Sequence, residues 1–270
     1  MGDNNKKKVL IIFFGQPRFT KNMLVSKSHK IHIIDKYHSS IFATLWNSKN
    51  STYTASSWVK VNNNNLVSES FMKEIISQYS DINVEYIDTI DIDSPVEIQE
   101  ELTNAYGRQN LNNILSHLYI FEEAAMRVIS SVDINDFDFV IISRTDLFIK
   151  KFPNLNHLDK GFYISSHHSR FPDFIFILSP EYLKFTSVFS NLKQINLSKV
   201  PHFIPEYVKK YSLLHEYPNI KIKVLSLKEL DVELVREMDA FRTIFKSFNN
   251  FFNYLLHFRR FYFLAAFIIM

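Results

Sequence analysis

Two short stretches of the chain hold the residue types that chemistry needs, and each closes an apolar run. "GQPR" (15–18) follows "KKVLIIFF" (7–14), and "SRTD" (143–146) ends the apolar part of "FDFVIISRTDLFIK" (137–150). In the first, Gly15 admits a tight turn or a close backbone approach, Pro17 stiffens it, and Arg18 offers a guanidinium to an anion. In the second, Arg144 and Asp146 place opposite charges at the mouth of a strand that otherwise belongs in a core. Each stretch alone also has a purely structural reading. "GQPR" can be a strand-to-helix turn with a solvated Arg18, and Asp146 can cap a turn while pairing with Arg144.

The surrounding elements decide whether the two stretches could meet. "KKVLIIFF" has the continuous hydrophobicity of a strand buried on both faces, as in a parallel sheet. Further strands are predicted at "SSIFATLW" (39–46), "INVEYIDTI" (82–90), the 137–150 stretch, "GFYIS", "DFIFILS" and "IKIKVLSL" (220–227). Helices are predicted at "SESFMKEIISQYS", which opens on a Ser/Glu capping pattern, at 109–131, and at "PEYLKFTSVFSNL". The 109–131 helix is the longest, with Leu111, Ile114, Leu115, Leu118, Phe121, Ala125 and Val128 on one stripe. Residues 47–65 read as a long polar loop. Strands alternating with helices imply an α/β fold with helices covering a mostly parallel sheet. In such sheets ligands bind beyond the carboxyl ends of the strands, where both charged stretches fall.

Composition removes several function classes. With 31 Lys+Arg against 28 Asp+Glu the net charge is +3, too even for a dedicated nucleic-acid binder, so no nucleic-acid partner is expected. The absence of cysteine excludes disulfides, Cys-ligated zinc and thiol nucleophiles, and fits a cytoplasmic protein. The N-terminal apolar run is short and is followed by "GQPR" where a signal peptide would have its cleavage site. Lys6 and Lys7 occupy the region where a myristoylation signal at Gly2 would want Ser or Thr. Phosphate-cradling GxxxxGK, GxGxxG, GxSxG and HExxH patterns do not occur.

Taken together, "VLIIFFGQPRF", "IFATLW", the long helix, "FDFVIISRTDLFI", "DFIFILSPEYLKFTSVF" and "PEYVKKYSLLHE" resemble, in order over residues 7–236, the GT-A-like glycosyltransferases of bacterial capsule and lipopolysaccharide synthesis and their viral relatives. The resemblance implies a GT-A-like, Rossmann-like domain over 1–240 that transfers a sugar from a nucleotide-diphosphate donor to a glycan or lipid-linked hydroxyl. It places Gly15, Gln16, Arg18 and Arg144 against the nucleotide sugar. An Asp-x-Asp-type motif would hold Mn²⁺ or Mg²⁺ on the diphosphate; here the first acidic position is Arg144 and only Asp146 remains as a metal ligand. One carboxylate plus substrate phosphates can hold such an ion, and a fixed Arg can do part of its work, so a metal-independent transferase is the neighbouring expectation. Losing the Asp146 charge is expected to cost catalysis and little stability.

The transfer reading gives roles to two further acids. Asp173, at the start of "DFIFILS", could face the acceptor or be a polar strand start. Glu206, after Pro205, could be the base that takes the acceptor's proton, or an acid favoured by a helix dipole. His167 and His168 read as loop surface; His202 and His215 are weaker candidates for an extra metal ligand, and the acids of 86–93 read as a solvated edge. From residue 241 the chain becomes an aromatic helical tail with Arg242, Lys246, Arg259 and Arg260. That mixture suits either an interfacial helix on an anionic membrane, placing the enzyme peripherally at the membrane surface, or a terminal helix packed on protein. A catalytically silent glycan- or membrane-binding scaffold of the same fold is the alternative from outside enzymes.

Overall fold

The structure, a computed structural model, describes residues 6–16, 23–46, 77, 79, 81–87, 108–166, 171–192, 194 and 203–234, with backbone alone at 108–110. Met1–Leu234 group as one compact unit. The polar loop at 47–65, most of the helix expected near 68–80, and the C-terminal tail lie outside the described residues.

The elements in chain order are β1 (Lys8–Gly15), α1 (Leu24–His29, continued by a π turn at Lys30–Ile34), β2 (His38–Trp46), β3 (Ile82–Ile87) and α2 (Arg108–Ser131). They are followed by β4 (Phe139–Arg144), β5 (Leu147–Lys151), β6 (Phe162–Ser165), β7 (Ile175–Leu178), α3 (Pro205–Glu216), β8 (Ile222–Leu225) and β9 (Asp231–Leu234). Seven strands form one sheet in the order β3-β2-β1-β4-β7-β6-β8. The pairs β2–β3, β1–β2, β1–β4 and β6–β8 are parallel, and only β7 runs against its neighbours β4 and β6. The protein is thus a mixed α/β fold with a mostly parallel sheet flanked by helices, compatible with a Rossmann-like arrangement.

The apolar run of β1 explains its central place. Successive side chains of a strand point to opposite faces, so a strand buried on both needs hydrophobicity at every position. Leu10, Ile12 and Phe14 enter the core beneath α2, while Val9, Ile11 and Phe13 enter the core on the other face. In β4, Val140 and Ile142 join the first core and Phe139 and Ile141 the second. The α2 stripe Leu111, Leu115, Leu118, Phe121, Ala125 and Val128 is buried as its spacing predicts.

Topology creates the crevice. From β1 the chain builds outward through β2 to β3, then returns along α2 to lay β4 on the opposite edge of β1. Connections leaving in opposite directions open a gap beyond the carboxyl ends of β1 and β4, the switch point where open α/β sheets take their ligands.

Two expectations are corrected. The 137–150 stretch is not one strand: it breaks after Arg144, and β5 leaves the main sheet to pair antiparallel with β9 in a separate ribbon. The "PEYLKFTSVFSNL" segment forms only a 3₁₀ helix at Pro180–Thr186. A tertiary contact replaces further helical hydrogen bonds there. The Glu122 carboxylate of α2 accepts from the backbone N–H groups of Phe189 and Ser190 and from the Ser190 hydroxyl.

On the face opposite α2, His29 is buried and stacked on Phe13 at 5.0 Å. Its Nε2–H donates to the Leu147 carbonyl at 2.7 Å and its Nδ1 meets the Tyr79 hydroxyl at 3.0 Å, so the ring is satisfied while neutral. Burial brings its pKa down to about 4. Above pH 6.5 the ring is neutral folded or unfolded; as pH falls toward 4, only the unfolded chain gains the proton, and stability is lost. The loss approaches about 1.4 kcal/mol per pH unit, or about 2 kcal/mol by pH 5. Urea unfolding of wild type and His29→Gln at pH 7.5 and 5 should show this part of the decline in wild type alone. Equal declines would remove His29 as its source.

Candidate functional site

The strand ends at the switch point bring the two charged stretches together. Phe14 pairs with Arg144 across β1 and β4. Beyond it Gly15 has φ +106°, a conformation that side-chain-bearing residues rarely adopt, and the space a Cβ would occupy is open. The Thr145 hydroxyl donates to the Gln16 carbonyl at 2.5 Å, tying the turn after β4 to the turn after β1. Among the described residues, the Gly15–Gln16 backbone and the Arg144 guanidinium thus lie side by side at these strand ends.

That guanidinium is fixed. Arg144 donates from Nε to Asp146 Oδ1 at 2.9 Å and from Nη2 to Oδ2 at 2.8 Å, a two-pronged ion pair. The Asp146 side chain is 2% exposed and that of Arg144 18%. Arg144 Nη1 lies 3.8 Å from Asp173 Oδ2, an ion pair without a hydrogen bond. Burial alone would lower the Arg144 pKa; Asp146, Asp173 and Glu206 outweigh it, and the net shift is upward, so the group stays charged. Asp146 takes two of the guanidinium's five N–H donors. The small stability cost expected for losing the Asp146 charge is corrected here. This carboxylate is a buried half of an ion pair, and breaking such pairs is expensive.

Asp173, just before β7, is brought into the same cluster because β7 runs antiparallel and starts where β4 ends. Its carboxylate sits 3.6 Å from His117 Nε2 of α2, and its carbonyl accepts from Lys209 Nζ of α3 at 3.3 Å. Glu206 occupies the first turn of α3 behind Pro205, and its charge is felt by both Arg144 and Lys209. Arg18, His167, His168 and His202 lie outside the described residues. His215 is exposed in the last turn of α3.

Two members of the cluster are not among the sequence-predicted residues. Lys209 is completely buried, its Nζ 2.8 Å from His117 Nε2 and over the rings of Phe121 at 4.1 Å, Phe14 at 5.0 Å and Phe176 at 5.8 Å. Burial brings its pKa down to about 7, with Asp173 and Glu206 pulling upward and Arg144 pushing down. His117 packs edge-on against Phe14. The helical spacing of His117 and Phe121, four apart, signals that both face one neighbour.

The donor set can be tested against a divalent cation. Both Asp146 oxygens already accept from Arg144, and among the described residues no group of three or more His, Cys, Asp or Glu is placed to hold a metal. Among the described residues the cluster offers a fixed guanidinium that suits an anion. No known protein family matches the chain, and no curated protein matches it. Among the described residues no helix is long and apolar enough to cross a membrane.

Proposed function

We propose that the protein is a glycosyltransferase of GT-A-like fold that moves a sugar from a nucleotide-diphosphate donor to a glycan or lipid-linked hydroxyl. The observation that carries this reading is Arg144, a charged, fixed guanidinium at the β1/β4 switch point beside Gly15, where the space a Cβ would occupy is open. The leaving diphosphate gains negative charge as the sugar departs, and preorganised donors aimed at that charge lower the barrier. Asp173 and Glu206 are the carboxylates near enough to this cluster to take the acceptor's proton. Arg18, three residues beyond Gly15 in the sequence, is proposed as a second anion ligand.

The bidentate hold of Arg144 on Asp146 favours a version in which transfer needs no divalent cation. A version supported by Mn²⁺ or Mg²⁺ on Asp146 is the other reading, and one set of titrations decides between them. Thermal-shift and calorimetric titrations against UDP-, GDP-, CMP- and dTDP-sugars should find one donor that binds equally well in EDTA and in Mn²⁺, with sugar release over time. In Arg144→Ala, affinity for that donor should fall by about 1.5–3 kcal/mol, the worth of a charged hydrogen bond. Binding that requires Mn²⁺ would restore the metal reading. Glycan or membrane binding without nucleotide binding would make the protein a scaffold. The aromatic and basic tail is proposed to hold the enzyme peripherally at a cytoplasmic membrane surface, near a lipid-linked acceptor.

A further inference from the structure

Lys209 is a buried titratable group to which the transfer reading gives no task. Among the described residues, those that surround it are His117 and Phe121 from α2, Phe14 from β1, Arg144 from β4, Asp173 and Phe176 from the start of β7, and Glu206 from α3. We propose that Lys209 and His117 form a proton-accepting pair, and that an anionic diphosphate bound at Arg144 draws a proton from solvent onto it, coupling ligand binding to proton uptake. This rests on the reading of the β1/β4 crevice as a diphosphate site.

The geometry serves both protonation states. With the ammonium charged, Nζ–H donates to the Nε2 lone pair across 2.8 Å; with the amine neutral, the other imidazole tautomer lets Nε2–H donate to the Nζ lone pair. Neither state leaves this buried contact unsatisfied, so the pair can change charge without moving. The aromatic faces of Phe121, Phe14 and Phe176 stabilise the cation when it forms.

The charge balance supplies the driving force. Among the described residues, Asp173 and Glu206 favour a proton on Lys209 and Arg144 opposes one. A bound diphosphate brings further negative charge to Arg144's neighbourhood, and a proton on Lys209 offsets it. The same anion also cancels the Arg144 charge that repels a proton from Lys209. Because burial brings Lys209 down to about pH 7, the change falls where it can be measured.

Calorimetric titration of the full-length chain with UDP, GDP and inorganic pyrophosphate, in Tris and in HEPES, reads the protons exchanged from the difference in heat. At about pH 7.5 roughly three quarters of a proton should be taken up, and affinity should weaken on the order of tenfold between pH 7 and 8.5. Lys209→Met should still bind the diphosphate, with the uptake and the pH dependence both lost. Binding with no proton exchange, or uptake that persists in Lys209→Met, overturns the coupling while leaving the diphosphate site intact. Failure of all three probes to bind overturns the site and the coupling together. The pair is also read directly: in ¹³C-lysine spectra, the wild-type resonance missing from Lys209→Met should titrate near pH 7, and titration above pH 9 would refute it.

Discussion

Arg144→Met should lower the unfolding free energy by about 3–5 kcal/mol, the cost of removing a guanidinium that donates twice to a buried carboxylate. Asp146 is 2% exposed on its side chain, so water cannot replace the two hydrogen bonds that Arg144 supplies. Asp146→Asn should cost less, about 2 kcal/mol, because Arg144 keeps Asp173 at 3.8 Å and is 18% exposed to water. The double variant, which removes both charges, should cost clearly less than the sum, by about 1–3 kcal/mol of coupling. Urea unfolding of the four proteins, with unchanged denaturant slopes, measures the cycle. Additivity within about 0.5 kcal/mol would show that the two groups do not act as a pair. The cycle also separates stability from ligand binding, because Asp146→Asn keeps the guanidinium that the proposed diphosphate meets.

The second large effect belongs to Lys209, and it has the opposite sign. An unfolded lysine is protonated to about pH 10.4. In the fold the pKa is brought down to about 7, so between these values the unfolded chain binds the additional proton. Stability therefore rises with pH across that window, by up to about 1.4 kcal/mol per unit. Lys209→Met removes the dependence. The difference in stability between variant and wild type should shrink in the variant's disfavour by about 3 kcal/mol from pH 7 to 9.5. At pH 7 the variant should be the more stable protein, by about 1–3 kcal/mol once the lost contacts to His117 and Asp173 are set against the relieved burial of charge. Parallel stability curves for the two proteins would place Lys209 as an ordinary ammonium. The comparison within one background cancels the titration of tyrosines and of His29.

What was legible in the sequence follows the strength of the local signal. The β1 run, the α2 stripe and the α3 start behind Pro205 are each dictated by patterns within one element, and the structure bears them out. The convergence of "GQPR" and "SRTD" followed from a rule about strand ends and is realised for Gly15, Gln16 and Arg144. The strand end at Arg144 was legible, but the departure of β5 from the sheet was hidden, because its partner β9 lies about eighty residues further along the chain. Lys209 was hidden by its neighbour: "VKKY" reads as a solvated doublet, and only the buried face formed with Val208, Ser212 and Leu213 shows which lysine turns inward. The reversal of β7, which carries Asp173 into the cluster, leaves no trace in a four-residue apolar strand.

The pairing of β1 with β4 also sets a timetable for the making of this protein. Val9 meets Phe139, a partner 130 positions away (139 − 9), whereas the other edge of β1 is covered by β2 only about thirty residues downstream. At synthesis rates of about 5–20 residues per second, one edge of the most apolar strand waits roughly 7–26 seconds for its neighbour to leave the ribosome. An unpaired hydrophobic edge is what other nascent chains and chaperones recognise. The crevice itself does not exist until that wait ends, because Gly15 and Arg144 arrive on opposite sides of it. A ribosome stalled before residue 139 would thus display a half-sheet with one apolar edge uncovered and the site not yet assembled.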